Sequence, residues 1–93
     1  MNEEKIKKLK KIGYDVKIEH FRITKSGEIV SNYDAKLLGF EKIKNKGGFT
    51  EVRIGKGYSY YGGVARCNTS DCFKKSIGVE IALQRAYELL TKI

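Results

Sequence analysis

The last part of the chain, from Ser70 to Ile93, restricts the possible folds more than any other stretch. When its residues are placed about 100° apart, the apolar side chains fall on one side of a helix and the polar ones on the other. The apolar positions are Gly78, Val79, Ala82, Leu83, Ala86, Leu89, Leu90 and Ile93. This pattern is typical of a helix that lies on a sheet. The small residues at intervals of four, Gly78, Ala82 and Ala86, predict a close approach of the two backbones. Ser70 or Ser76 is expected to cap the helix.

The segments before this helix predict a shorter helix and several strands. Residues 2–12 predict a lysine-rich helix that Asn2 caps and Gly13 ends. Strands are expected at 14–24, 28–30, 35–43, 49–54 and 58–67, with turns at 25–27, 44–48 and 55–57. The apolar alternation slips near His20, which predicts a β-bulge there. Gly62 and Gly63 predict either another bulge or the close approach of a second backbone.

These elements predict a single domain over residues 1–93. The fold class is α+β: a three- to four-stranded antiparallel sheet, with the N- and C-terminal helices on one face, in the order α-β-β-β(-β)-α. Two isoleucines, Ile77 and Ile81, project from the polar arc of the last helix. We expect them to contact the apolar stripe of the first helix, which consists of Ile6, Leu9 and Ile12. The alternative use of the two isoleucines is a patch that binds a partner.

The chain is strongly basic. Lys and Arg number 19 and Asp and Glu number 11, which gives a net charge of +8. Such a charge favours nucleic acid or an acidic protein surface as a partner, although lysines also serve simply as solvated surface. The lysines of the first helix have the same two interpretations. No apolar run is long enough to span a membrane, and the N-terminus lacks the apolar region of a secretion signal, so we expect a cytoplasmic protein.

The residues that usually carry catalysis are few. Cys67, Cys72 and His20 are too few, and wrongly spaced, for a structural zinc site, and a disulfide is unusual in a reducing compartment. The cysteines are therefore expected to be free thiols. A cysteine nucleophile with His20 as its base is the remaining catalytic alternative, but no pattern brings these residues together. The sequence predicts no metal, no cofactor and no enzymatic activity.

Aromatic and basic side chains alternate near the predicted hairpin. Tyr58, Tyr60 and Tyr61 lie close to Arg53 and Arg66 in the expected strands. Aromatic rings stack on bases and arginines bind phosphates, so this pattern is typical of nucleic-acid binding. The same residue types anchor protein–protein interfaces, and tyrosine also occurs in strands for its propensity alone.

The order of elements resembles the double-stranded-RNA-binding domain. The last helix of that domain opens with two lysines and a further basic residue, and its buried side carries alanines. Lys74 and Lys75 match the lysine pair and Ala82 matches a buried alanine, whereas Gly78 replaces the third basic residue. The first helix has lysines in place of the polar residues that read the minor groove. The resemblance therefore implies an architecture rather than RNA specificity.

The segment 62–90 resembles the C-terminal pattern of small proteins from Gram-positive phages and mobile elements. The matching positions are Gly63, Ala65, Arg66, Cys67, Asp71, Phe73, Gly78, Ala82, Arg85 and Ala86. The resemblance implies an accessory role, including inhibition of host defence nucleases such as CRISPR effectors. From the residues themselves, we expect Arg66, Asp71 and Arg85 to form an ion network that fixes the turn before the helix.

The sequence thus predicts a small, basic, non-enzymatic accessory protein that binds nucleic acid or a ribonucleoprotein. The alternative is a module that blocks an acidic groove of a partner protein, with the three tyrosines as anchors. The residues expected to make these contacts are Lys44, Lys46, Arg53, Lys56, Tyr58, Tyr60, Arg66, Lys74 and Lys75.

Overall fold

A computed structural model gives the fold and describes residues 2–91. Its elements are α1 (Asn2–Lys11), β1 (Asp15–Ile23), β2 (Ile29–Ser31), α2 (Asn32–Leu38), a 3₁₀ turn (Phe40–Lys42), β3 (Phe49–Lys56), β4 (Ser59–Arg66) and α3 (Lys75–Thr91). The predicted α+β class is confirmed, with α1 and α3 packed on one face of a four-stranded antiparallel sheet. The capping role of the Asn2 side chain and the place of Ile93 lie outside what the structure describes.

The strands lie in the order β2-β1-β3-β4. The pairing of β1 with β3 runs without interruption from Asp15 opposite Gly55 to Phe21 opposite Phe49. The bulge predicted near His20 is therefore wrong. Pairing between β3 and β4 is also continuous, so the bulge predicted at the two glycines of β4 is absent. Strand β2 pairs with the outer edge of β1, and the chain then returns to the other side of β1 through α2.

Along β1, the apolar side chains change from one face of the sheet to the other between Ile18 and Phe21. Val16 and Ile18 face the helices, as expected for apolar strand residues, but His20 then continues on that same face. Phe21 lies on the opposite face, which the helices leave open, and stacks there on Phe49 with ring centres 4.5 Å apart. The histidine is accommodated beside the helix because its Nδ1 is 2.8 Å from the Thr50 hydroxyl oxygen.

Small residues bring α3 close to the sheet. A Cβ atom at Gly63 would clash with the Ala82 carbonyl and lie 2.6 Å from the Ala86 amide nitrogen. A Cβ at Gly78 would lie 2.9 Å from the Thr50 Cβ. The predicted close approach is thus confirmed. The fully buried core around this contact consists of Val52, Ile54, Ala82, Leu83 and Ala86, joined by Leu9 of α1.

Residues 35–43, predicted as a strand, instead form most of α2 and the 3₁₀ turn that follows it. The helix starts because the Ser31 side chain accepts a hydrogen bond from the Asp34 amide, which satisfies a free donor of the first turn. It ends at Gly39, whose φ of 98° suits glycine. Only Ala35 of α2 is buried, and Ile43 after the 3₁₀ turn is buried in a single bridge with Thr24, so the segment does not form a strand of the sheet.

Three smaller expectations are also corrected. The tight hairpin turn consists of Gly57 and Tyr58, because β3 continues through Lys56. Helix α3 begins at Lys75, and Ser70 instead donates from its amide and its hydroxyl to Asn68 Oδ1. Ser76 lies inside the first helical turn rather than before it.

The predicted packing of Ile77 and Ile81 on the first helix is not formed. Both remain exposed, as does Ile12, whereas Leu9 is buried in the main core. The stripe of α1 therefore packs on the sheet and on the end of α3 rather than on these isoleucines.

Candidate nucleic-acid interface

The open face of the sheet is the face that α1 and α3 do not cover. Alternation along the strands places Lys17 of β1, Arg53 of β3, and Tyr60 and Arg66 of β4 on it. All four side chains are exposed, and Tyr60 is 69% exposed. The same strands bury Val52 and Ile54 on the helix side. Of the tyrosines and arginines named from the sequence, Tyr60, Arg53 and Arg66 therefore share this exposed face.

One end of this face is the hairpin end. Tyr58 is fully exposed at the two-residue turn, and a shallow cleft beside it is lined by Lys17, Arg53 and Tyr60. Glycine at position 55 leaves the β3 position opposite Tyr60 without a side chain, so the ring stays accessible. Tyr61 differs from the other two tyrosines of this segment, since it faces the helices and is half-buried.

The middle of the open face is not basic. Glu19 of β1 lies directly opposite Glu51 of β3, and Asp15 lies further along β1 on the same face. Arg53 forms an ion pair with Glu51 at 2.8 Å, which neutralises one of these carboxylates. A polyanion that follows this face therefore meets less repulsion along β3 and β4 than along β1.

The opposite end of the sheet gathers cations from four separate segments. We call this set the basic end, and it consists of Arg22, Lys25, Lys44, Lys46, Arg66, Lys74 and Lys75. Two contacts bring these segments together: the Arg22 side chain donates from Nη2 to the Lys44 carbonyl at 3.2 Å, and the Lys46 backbone forms a β-bridge with Cys72. The segment before α3 is further tied down because the Phe73 amide donates to the Asn45 carbonyl.

A cavity of about 670 Å³ opens at the basic end. Lys46, Arg66 and Lys74 supply its positive charge, and Asp71 is the acidic side chain among its described lining residues. Aromatic rings contribute as well. Phe49 lines the cavity with the Arg66 guanidinium 6.0 Å from its ring centre, which is a cation–π geometry. The arrangement offers cations and an aromatic ring to one ligand.

The charge at this end acts on His20. Burial lowers the pKa of its imidazole below the ordinary value of 6.5, and the nearby cations Lys75 and Arg22 lower it further. The ring also meets Phe73 edge to face, with centres 5.7 Å apart. His20 is thus a neutral, half-buried structural residue near neutral pH.

The structure places two sets of charged residues differently from what the sequence suggested. Lys56 faces the helices, where its Nζ donates to the Ile12 carbonyl at 3.3 Å and lies 5.2 Å from the centre of the Tyr14 ring. It therefore belongs to neither end of the open face. The expected ion network is absent as well, since Arg85 Nη1 donates to the Val64 carbonyl and Arg66 lies over Phe49.

The two cysteines are free and line the cavity at the basic end. The Cys67 thiol donates to the Asp71 carbonyl at 3.3 Å. His20 Nδ1 is engaged with Thr50, so the structure does not pair this imidazole with a thiol. Within residues 2–91, no group of three or more His, Cys, Asp or Glu side chains is placed to hold a metal ion.

Several residues of these surfaces were missed by sequence reasoning. Arg22 and Lys25 join the basic end, and Lys17 joins the hairpin end. Alternation with Val16 and Ile18 is the signal that would have placed Lys17 on the same open face as Arg53.

Comparisons of the chain with protein-family models, with characterised proteins and with solved structures gave no significant match. The functional assignment therefore depends on the two surfaces themselves. In the described part of the chain, no helix is long and apolar enough to cross a bilayer.

Proposed function

We propose that the protein binds nucleic acid and that the basic end contacts the phosphates. The observation that carries this proposal is the convergence of Lys46, Arg66 and Lys74, from three segments, around one cavity with an aromatic wall. Clustered cations raise the local concentration of a polyanion and release its counterions on binding. No catalytic step is part of the function.

The favoured ligand is a single strand. Exposed aromatic rings stack on unpaired bases, whereas the bases of a duplex are already stacked on one another. Tyr60 is such an exposed ring, and Arg66 lies at the other end of the open face, about 20 Å away along β4 at ~3.4 Å per residue. Between Tyr60 and Arg66, the β4 residues on the open face are Gly62 and Val64. Because they are small, they leave a shallow surface on which a nucleic-acid backbone can lie.

The resemblance to phage and mobile-element proteins extends this proposal to a role. An accessory protein of this kind acts in the host cytoplasm, and a ribonucleoprotein such as a defence nuclease offers single-stranded nucleic acid as part of its surface. The basic end then contacts the nucleic acid of the complex. The nuclease is inhibited because its nucleic acid is covered by this protein.

Fluorescence anisotropy with a labelled single-stranded oligonucleotide tests the proposal. The triple variant Lys44→Gln/Lys46→Gln/Lys74→Gln lowers the net charge from +8 to +5 at the basic end. Its matched control, Lys7→Gln/Lys10→Gln/Lys11→Gln, removes the same charge from α1. We expect the first variant to lose at least ten-fold in affinity and about 2 units of the slope of log K against log salt. Absence of binding by the native protein at low salt would refute the function.

Stacking has a separate test. Tyr60→Ala is expected to weaken single-strand binding by about ten-fold or more, since one base–aromatic stack contributes ~1–3 kcal/mol. Tyr60→Phe keeps the ring and is expected to keep the affinity. Equal losses in both variants would show that the hydroxyl, and not the ring face, makes the contact.

The second candidate is a protein-binding module that uses the hairpin end. The observation that favours it is the full exposure of Tyr58 on a tight turn beside exposed Tyr60, because rigid tyrosines anchor interfaces. Capture from a nuclease-treated lysate separates the candidates. Retention of one protein, lost in Tyr58→Ala and kept in the α1 lysine variant, would favour this module over nucleic-acid binding.

A further inference from the structure

The segment from Ile29 to Phe40 exposes more large apolar side chains than its length requires. We call it the apolar segment, and its exposed members are Ile29, Tyr33, Leu37, Leu38 and Phe40. Each is between 44% and 70% exposed. Tyr33 and Leu37 are four residues apart, so they project from the same side of α2. The sequence predicted a strand over residues 35–43, which includes Leu37, Leu38 and Phe40, and the structure leaves these three side chains in solvent.

The size of this surface is that of an interface. With ~200 Å² for a whole aromatic side chain, the exposed fractions of Tyr33 and Phe40 amount to roughly 250 Å². The three aliphatic side chains bring the summed exposed area to about 500 Å², and a contact that covers all five side chains would use the whole of it. A symmetric contact would bury about twice this area, which reaches the lower limit for specific association.

The charges around the apolar segment differ from those of the rest of the chain. Residues 28–42 hold three acids, Glu28, Asp34 and Glu41, and two bases, Lys36 and Lys42. Their net charge is −1 in a chain of +8. The net charge of residues 28–42 does not by itself attract a polyanion. A rim that carries both signs is, however, self-complementary, because Lys36 of one copy can meet a carboxylate of another.

We propose that the apolar segment is the contact between two copies of this chain, related by a two-fold axis. Strand β2 is only three residues long, so side chains rather than strand addition carry the contact. The basic end adjoins this segment, since Arg22 lies opposite Val30 and the Lys25 amide donates to the Lys42 carbonyl, so repulsion between the two copies opposes the contact at low salt. The inference is independent of nucleic-acid binding.

Sedimentation equilibrium tests the dimer from about 1 to about 500 µM protein, a range suited to a contact of this area. We expect a concentration-dependent shift from one to two copies. Added salt is expected to strengthen the dimer, since it screens repulsion between two +8 chains, whereas it weakens nucleic-acid binding. A single monomeric species over the whole range at both low and high salt would overturn the proposal.

Variants locate the contact. Tyr33→Ser and Leu37→Ser change highly exposed side chains and are expected to shift the midpoint of dimerisation at least ten-fold toward monomer, with unchanged circular dichroism. Ile77→Ser is the matched control, since Ile77 is also exposed but lies on α3. Dimerisation that Ile77→Ser weakens, and the α2 variants leave intact, would overturn the assignment.

Discussion

At the scale of single residues, Gly62 and Gly63 show how neighbouring positions of one strand meet different constraints. Gly63 lies under α3, and a Cβ there has no space because it meets the backbone of Ala82 and Ala86. Gly62 lies on the open face, where a Cβ would meet nothing within 4 Å. We predict that Gly63→Ala lowers the free energy of unfolding by about 2–3 kcal/mol, as overpacking against backbone does.

Gly62→Ala is the matched control for this prediction. Glycine in the interior of a strand destabilises a protein relative to alanine, so Gly62→Ala is expected to leave the free energy of unfolding unchanged or to raise it slightly. Urea denaturation followed by circular dichroism measures both. Similar midpoints for the two variants would mean that α3 does not approach β4 as closely as described.

His20 provides a pH-dependent prediction. Burial, Lys75 and Arg22 hold its pKa in the folded protein below 6.5, so the unfolded chain binds the proton more readily. Its contribution to stability is therefore complete above pH 6.5 and is lost as the pH falls from there through the folded-state pKa. Proton NMR is expected to show this low pKa, and Lys75→Gln is expected to raise it.

The variant His20→Gln isolates that contribution. The difference in free energy of unfolding between native protein and variant is expected to shrink as the pH falls from about 7.5 to 5, while other titrating groups cancel in the comparison. A difference that stays constant over this range would contradict the low pKa. So would a folded-state titration at or above 6.5.

At the scale of elements, α2 marks the limit of sequence reasoning. An apolar run predicts a strand only if its side chains are buried, and here Leu37, Leu38 and Phe40 remain in solvent. The better signals were local: Ser31 three residues before Asp34 to start a helix, and Gly39 to stop it. The elements with clear periodicity and burial, α3 and β3, were predicted, although α3 begins at Lys75 rather than near Ser70 and β3 continues to Lys56.

The Ser31 cap has a direct test. Ser31→Ala removes the acceptor for the Asp34 amide and is expected to cost about 1 kcal/mol of stability. Ser76→Ala is the control, because this serine lies within the first turn of α3 and is exposed, so a change below about 0.5 kcal/mol is expected. If Ser76→Ala lowered the free energy of unfolding more than Ser31→Ala, the prediction that Ser76 caps α3 would be supported after all.

At the scale of the whole molecule, the position of each predicted site residue follows from register. Alternation alone separates Arg53 from Lys56, since an odd number of steps between them places the two on opposite faces. The basic end could not be predicted in this way. Lys46 and Lys74 meet only because the segment before α3 folds back onto the turn before β3, through the bridge between Lys46 and Cys72.

The close spacing of the cations at the basic end is expected to affect the stability of the protein even without a ligand. Cations held close together in the folded protein repel one another more than they do in the unfolded chain, and salt screens this repulsion. We therefore predict that the melting temperature rises as NaCl is increased from about 0.05 to 0.5 M. The contribution of the basic end is measured by Lys44→Gln/Lys46→Gln/Lys74→Gln, in which the rise is expected to be smaller.

The variant Lys7→Gln/Lys10→Gln/Lys11→Gln has the same net charge of +5, so it separates total charge from local clustering. Its lysines lie on an exposed helix that also carries Glu3 and Glu4, where attraction offsets part of the repulsion. It is therefore expected to retain more of the salt dependence of the native protein than the other triple variant does. Identical salt responses would mean that net charge alone governs the effect, and that the cations around the cavity are not held close enough to act as one phosphate-binding cluster.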